Sequence, residues 1–201
     1  MNQYDFTLKF RLKNPEESAE KYARVLAENG CDDALVGIGK LGRVSLNFTR
    51  EATSAFAAIT SAIKDVKKSI PGVLLVEATP DFVGITDIAD IYGSSRQYIR
   101  QVVFNQAVSF PEPVHEGNPS LWHLADVLNW ITTHEPKRLD RELLEISQLN
   151  MQINLYRSFL KSSNTTMSNL RFDVDVPDKA MEWDHFFRSA FGYATKVTPH
   201  G

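Results

Sequence analysis

Residues 84–103 contain two amphipathic segments separated by one glycine, and this arrangement restricts the chain to few folds. Their apolar residues recur at helical spacing. They are Ile85, Ile88, Ala89 and Tyr92, then Tyr98, Ile99, Val102 and Val103. Thr86 can cap the first helix, and Ser94 or Ser95 can cap the second. Gly93 can adopt the positive φ of a tight turn. The pattern therefore predicts two helices joined by a short turn.

The polar face of the second predicted helix carries basic and amide side chains and no acid. These are Arg96, Gln97, Arg100 and Gln101, with Ser95 at the helix start. Such side chains can donate hydrogen bonds to phosphates or base edges, and a helix of this size fits the major groove of DNA. We expect Arg96 and Arg100, one helical turn apart, to contact base edges or phosphates.

A hairpin and a third helix are predicted after Phe110. Pro111 and Pro113 break the helical pattern, and Gly117-Asn118 is typical of a hairpin tip. Helical spacing returns in residues 124–131, so a third helix should close a small core. The hairpin residues expected to contact the DNA backbone are His115, Asn118 and Ser120.

Three motifs in this region carry a family resemblance. They are Ile-Thr-Asp-Ile-Ala-Asp-Ile-Tyr-Gly-Ser-Ser-Arg-Gln-Tyr-Ile-Arg, Phe-Pro-Glu-Pro, and Leu-Trp-His-Leu-Ala-Asp-Val-Leu-Asn-Trp. Together they resemble the MerR-like and AlpA (excisionase)-like DNA-binding domains, in which a wing follows a helix-turn-helix. The resemblance implies a winged helix-turn-helix over residues 82–134, with Arg96, Gln97 and Arg100 facing DNA and the wing, Val114–Leu121, contacting the backbone. This chain carries fewer Arg and Lys residues there than is usual for the family, so its affinity should be lower or depend on dimerisation.

Charge and cysteine content restrict the function further. The formal net charge is −3, so DNA binding cannot rest on bulk electrostatic attraction and depends on which face the charges occupy. A single cysteine, Cys31, excludes an internal disulfide framework and suits a reducing cytoplasm. We expect a cytoplasmic protein, because neither a signal segment nor a membrane-length apolar run is seen.

Residues 1–79 alternate between strand and helix patterns in the order βαββαβ. The predicted elements are a strand at 4–12, a helix at 14–29 that starts at Asn14-Pro15, strands at 35–38 and 43–48, a helix capped by Ser54 and a strand at 73–76. This order is the ferredoxin-like arrangement, so the chain is predicted to be of the α+β class. Such a domain is expected to hold a dimer together or to respond to a small-molecule or protein effector.

A glycine motif, Gly37-Ile38-Gly39-Lys40-Leu41-Gly42, matches the spacing of dinucleotide-binding loops. Such loops lead into a helix N-terminus that faces the phosphates. Here a strand pattern follows, so a hairpin turn is the favoured interpretation. The hypothesis of a nucleotide-dependent enzyme is supported by this motif alone.

A long amphipathic helix is predicted over residues 137–161. One set of mainly apolar residues recurs along it at alternating spacings of four and three, as in a coiled-coil seam. An Asn at an inner position of such a seam can fix its register. The seam residues are Leu139, Leu143, Ile146, Asn150, Ile153, Arg157 and Leu160. The alternative is a helix that packs on its own domain, and a second apolar stripe allows it to do both. That stripe is formed by Leu144, Met151, Leu155 and Phe159. The tail, residues 165–201, is predicted to hold an edge strand and an aromatic helical segment at Met181–Tyr193. This segment is expected to dock on another part of the protein or on the dimer mate, and a partner-binding tail is the alternative.

No catalytic or metal-binding pattern is found. The five histidines are dispersed and lack metal-ligand spacing, so neither an enzyme, a metal nor a cofactor is predicted. The sequence favours a homodimeric transcriptional regulator that binds double-stranded DNA. The alternatives are a protein-interaction module, such as an antitoxin-like or a phage or plasmid accessory factor, and a DNA-bending excisionase-like factor.

Overall fold

The computed structural model describes residues 1–136 and 139–163. The predicted tail, residues 165–201, lies outside the described residues. The strands are β1 (Asn2–Arg11), β2 (Ala34–Gly37), β3 (Arg43–Ala52), β4 (Leu74–Thr79), β5 (Phe82–Val83) and β6 (Trp122–His123). The α-helices are α1 (Ala23–Leu26), α2 (Ala55–Ser69), α3 (Ile85–Tyr92), α4 (Arg96–Asn105), α5 (Leu124–His134) and α6 (Arg141–Ser163).

A four-stranded antiparallel sheet forms the first part of the chain, with the strand order β2-β3-β1-β4. Alternate residues of β1 and β3 point to one face and are buried there against α2, as period-two patterning requires. They include Tyr4, Phe6, Leu8, Phe10, Val44, Leu46 and Phe48, and Ile59 and Ile63 of the helix are buried as well. The α+β class predicted from the sequence is confirmed.

The first helical segment differs from the prediction. It begins after Ser18, whose hydroxyl accepts the Glu20 N–H, and not at Asn14. It then passes from a 3₁₀ turn (Ala19–Tyr22) through α1 into a π-helical turn (Ala27–Cys31). Asn14 instead accepts the Glu16 N–H at 3.0 Å, which closes a local turn, and such turns compete with helix formation.

A buried arginine holds this segment against the sheet. Arg50 is on the inner face of β3 and is 7% exposed. Its guanidinium donates to Asp33, at 2.7 and 2.9 Å, and to Asp65, at 2.8 Å, and also contacts the Gly30 carbonyl. These bonds satisfy a charge that would otherwise be costly to bury.

Helices α3, α4 and α5 enclose a second core. It contains Ile88, Ala89, Ile99, Phe110, Trp122, Leu124, Val127, Leu128 and Ile131. The two predicted helices and their glycine turn are confirmed, since Gly93 has φ 68° and the Ser95 hydroxyl accepts the Tyr98 N–H. Thr86 is not the cap of α3. That position is Gly84, whose N–H donates to the Asp87 carboxylate at 2.8 Å.

The long helix packs within its own chain. Ile146, Asn150 and Ile153 are at most 3% exposed, and the Asn150 amide donates to the Pro80 carbonyl at 3.0 Å. The prediction that these three residues form an inter-chain seam is therefore wrong, and the alternative of packing on its own domain is correct. The helix begins at Arg141, beyond Asp140, whose carboxylate accepts the Glu142 N–H.

Candidate nucleic-acid interface

The polar face of α4 is presented outward by the core beneath it. Ile99 is 3% exposed and anchors the helix, while the residues predicted to contact DNA are exposed. They are Ser95, Arg96, Gln97, Arg100 and Gln101. No ion pair among the described residues involves Arg96 or Arg100, so both guanidinium groups keep their hydrogen-bonding capacity for a ligand.

The Gly93 turn fixes where α4 begins. The N–H groups of Gly93 and Ser94 donate to carbonyls at the end of α3. Tyr92 then ties α3 to α5 by donating to the Glu135 carboxylate at 3.0 Å, and burial raises the pKa of this tyrosine well above its usual value. Tyr98 belongs to the predicted apolar side of α4 but is 41% exposed, and its ring stacks on Tyr92 with centroids 5.8 Å apart.

The predicted wing is a short hairpin. His115 and Leu121 form an antiparallel bridge, with N···O distances of 3.4 and 3.0 Å. His115 and Asn118 are exposed. Ser120 is half-buried, and its hydroxyl donates to the Gly117 carbonyl at 3.0 Å, inside the turn. Its proton is therefore used locally, and only its oxygen lone pairs remain for a ligand.

The Lys and Arg residues that the structure describes on this surface are both on α4. Within residues 84–136 these are Arg96 and Arg100, while the hairpin region carries exposed Glu112 and Glu116. A partner that requires many phosphate contacts is disfavoured, whereas a few directed contacts from α4 are compatible with this charge distribution.

An apolar area extends beyond the C-terminal end of α4. Phe104 is 83% exposed and Val108 is fully exposed. Neither residue is among the predicted interface residues, although Phe104 is outside the apolar stripe that runs through Ile99, and this position in the helical period indicates exposure. Exposed large apolar side chains often mark an interaction surface.

A buried polar cluster joins the sheet, the three-helix core and α6. An Asp81 carboxylate oxygen is 2.6 Å from His123 Nδ1, and the other oxygen accepts from the Asn154 amide at 2.7 Å. The Asp81 carbonyl also accepts the Leu124 N–H at 2.6 Å. No local sequence pattern indicates this cluster, because its members are far apart in the chain.

A cavity of about 300 Å³ adjoins this cluster and is bordered by β4, β5, β6 and α6. Its polar lining includes His123, Asn154 and Arg157, and its apolar lining includes Val76 and Phe82. The volume is at the lower end of the range for small-molecule sites.

The glycine motif forms the turn between β2 and β3. The Gly42 N–H donates to the Glu17 carbonyl at 2.8 Å, and the Gly42 carbonyl accepts the Leu12 N–H at 2.9 Å. β3 follows directly and pairs antiparallel with β2. The hairpin interpretation is confirmed, and this backbone N–H is already used in the fold and not directed at a phosphate.

In the part of the chain that the structure describes, no group of three or more His, Cys, Asp or Glu residues is arranged to hold a metal ion. In the same ranges, none of the helices has the length and apolar character needed to cross a membrane. Comparison with protein-family models, curated proteins and solved structures gives no match.

Proposed function

We propose that this chain is a sequence-specific DNA-binding protein, acting as a homodimeric transcriptional regulator, in which α4 enters the major groove. On this proposal residues 82–134 are a winged helix-turn-helix, with α3 and α4 as its two helices and the 115–121 hairpin as its wing. The first part is a ferredoxin-like domain, which agrees with its element order and its strand order β2-β3-β1-β4.

The observation that carries the proposal is the exposed polar face of α4. Arg96 and Arg100 are one turn apart, neither is ion-paired among the described residues, and Gln97 and Gln101 flank them. Arg can bind guanine through two hydrogen bonds, and Gln can bind adenine in the same way. His115 and Asn118 supply backbone contacts from the hairpin in this proposal.

The low positive charge sets an expected behaviour. Few phosphate contacts release few counterions, so the dependence of affinity on salt should be shallow. Specificity then rests on base contacts and on two copies reading repeated half-sites, as dimeric helix-turn-helix proteins do.

The test is selection from sheared genomic DNA, followed by anisotropy titrations of the retained site at several salt concentrations. Arg96→Ala and Arg100→Ala should each weaken binding about tenfold or more. Where an arginine contacts phosphate, its removal should also lower the salt slope by about one. Arg24→Ala is the matched control, because Arg24 is exposed on the first part of the chain and pairs only with Glu28. Retained affinity in folded Arg96→Ala and Arg100→Ala proteins would exclude α4 as the reading helix.

A protein-interaction module is the second candidate, and exposed Phe104 and Val108 favour it. Phe104→Ser should abolish capture of a stoichiometric host protein in this case, with an unchanged melting temperature. A DNA reader predicts a different result, in which the wild-type chain retains one enriched DNA site. An excisionase-like factor would, in addition, bend that DNA.

A further inference from the structure

The two edges of the four-stranded sheet are treated differently by the rest of the chain. At the β4 edge, the Asn154 side chain bonds to both backbone groups of Ala78, accepting its N–H at 3.0 Å and donating to its carbonyl at 2.8 Å. Arg157 donates to the Leu75 carbonyl at 2.9 Å. Helix α6 therefore occupies this edge in the way that a neighbouring strand would.

The β2 edge has no such cover among the described residues. The Asp33 carbonyl accepts the Thr49 N–H from β3. In the antiparallel β2–β3 pairing, every second residue after Asp33 therefore bonds to β3. The N–H and C=O groups of Ala34 and Val36 consequently point away from β3. None of the hydrogen bonds within residues 1–136 and 139–163 reaches these outward groups.

The composition of this short edge strand leaves it open to pairing. β2 reads Ala-Leu-Val-Gly, without the Lys, Pro or bulge that normally blocks an exposed strand. Leu35 is 76% exposed, and Ile38 and Leu41, just beyond the strand, are 44% and 57% exposed. An open strand edge beside exposed apolar side chains suits the addition of another strand.

Charges at the two ends of β2 indicate which strand fits. Asp32 precedes the strand and Lys40 follows it, and both are exposed. If two copies of β2 pair antiparallel about Val36, Ala34 is opposite the partner's Ile38. Asp32, in the helical turn before the strand, then lies at the same end of the pair as the partner's Lys40, in the turn after it, and the same arrangement recurs at the other end. In the described part of the chain, neither residue forms an ion pair.

We infer that β2 is a dimerisation edge, which pairs antiparallel with β2 of a second copy of this chain and joins two sheets into one. Only the role of this dimer in DNA binding rests on the proposed function. The dimer interface is assigned to β2 instead of α6. A symmetric pairing of this kind closes on itself, so it ends at two copies.

The test measures the oligomeric state of the full chain without DNA, by sedimentation equilibrium over a wide concentration range. Asp32→Lys and Lys40→Asp should each raise the dimer dissociation constant by about tenfold, because each places like charges at the same end of the strand pair, twice per dimer. The double variant with both substitutions should restore the wild-type value. Asp90→Lys is the control, since Asp90 is exposed on α3 and far from β2 in the fold.

Hydrogen exchange provides a second readout at the strand itself. The Ala34 and Val36 amides should be protected at concentrations where the dimer forms, and they should exchange quickly on dilution. A chain that is monomeric throughout, or a dimer indifferent to both single substitutions, overturns the inference. So does a monomer in which these amides stay protected, because another segment of the chain would then hold the edge.

The outcomes separate this inference from the proposed function. A β2-paired dimer that retains no DNA site supports the interface and removes the DNA-binding proposal. A monomer that binds one DNA site, and loses this binding on Arg96→Ala, supports DNA binding through α4 and overturns the β2 interface.

Discussion

Asp81 and His123 are joined by a 2.6 Å contact between a carboxylate oxygen and imidazole Nδ1, and both side chains are buried. The other carboxylate oxygen bonds to Asn154 of α6. A single buried carboxylate therefore links the turn after β4, the start of α5 and the long helix. This cluster fixes the position of the proposed DNA-binding unit relative to the sheet.

Removing this carboxylate should destabilise the chain strongly. Asp81→Ala leaves His123 and Asn154 without their buried partner, and we expect a loss of about 3 kcal/mol in the free energy of unfolding. Urea unfolding followed by circular dichroism measures it. Asp90→Asn, at an exposed position on α3, should change the free energy by less than about 0.5 kcal/mol. Equal effects of the two substitutions would contradict the role assigned to Asp81.

Asn154 should protect the β4 edge specifically. Asn154→Leu keeps a similar volume but removes the bonds to Ala78 and Asp81, so unfolding should become easier by about 2–4 kcal/mol. The sharper measurement is hydrogen exchange at the Ala78 amide, which should speed up more than exchange at the amides of β1. Gln152→Leu, half-buried on the same helix, is the control. Unchanged exchange at Ala78 would show that the Asn154 side chain does not shield this edge.

Local periodicity predicted most of the elements but not their long-range partners. The helices on either side of Gly93 followed from apolar spacing, because a helix that buries one face must repeat that face every three to four residues. The same spacing in α6 was interpreted as a seam between chains. In the sequence, an Asn in an inter-chain seam cannot be distinguished from an Asn buried within its own chain. The bond from Asn150 to the Pro80 carbonyl, 70 residues away, distinguishes the two arrangements.

The cluster around Asp81 was missed for the same physical reason. A Pro-Asp pair between two strands has the composition of a turn, and nothing local indicates that this carboxylate is 1% exposed. The exposed face of α4 was easier to derive, because it needs only the position of Ile99 and the helical period. Helical spacing groups Tyr98 with the apolar side of α4, but it does not show that the ring is partly exposed, because an aromatic ring can stack on a neighbour at the edge of a core.

Two glycines of the glycine motif, Gly42 and Gly39, should respond differently to replacement by alanine. Gly42 has φ 69°, and a Cβ there would lie 2.6 Å from the Pro15 carbonyl oxygen, whereas a Cβ on Gly39 meets nothing within 4 Å. Gly42→Ala should therefore cost roughly 2–4 kcal/mol of stability, from backbone strain plus the clash, and Gly39→Ala less than about 0.5 kcal/mol. Thermal and urea unfolding measure both. Calorimetry with ATP and NAD should show no binding by the wild type, and nucleotide binding that Gly39→Ala abolishes would restore the phosphate-loop interpretation.

Cys31 should make stability depend on alkaline pH. Its side chain is 2% exposed, and burial, followed by the nearby Asp65 carboxylate, raises the pKa of the thiol from 9.0 to about 11. The folded chain thus favours the neutral thiol, so this contribution is fully present below pH 9 and is lost as the pH rises to about 11. The wild type should lose its stability advantage over Cys31→Ala across this window, because the packing cost of the alanine does not depend on pH.

The measurement is urea unfolding of the wild type and Cys31→Ala in parallel at several pH values, so that other alkaline titrations cancel in the difference. Alkylation of the folded chain by iodoacetamide at pH 8 provides the second check. It should be far slower than alkylation of the same chain in urea, since burial limits both the thiolate fraction and reagent access. A stability difference that is flat from pH 9 to 11, together with rapid alkylation of the folded chain, would place the Cys31 thiol in water and contradict the packing described here.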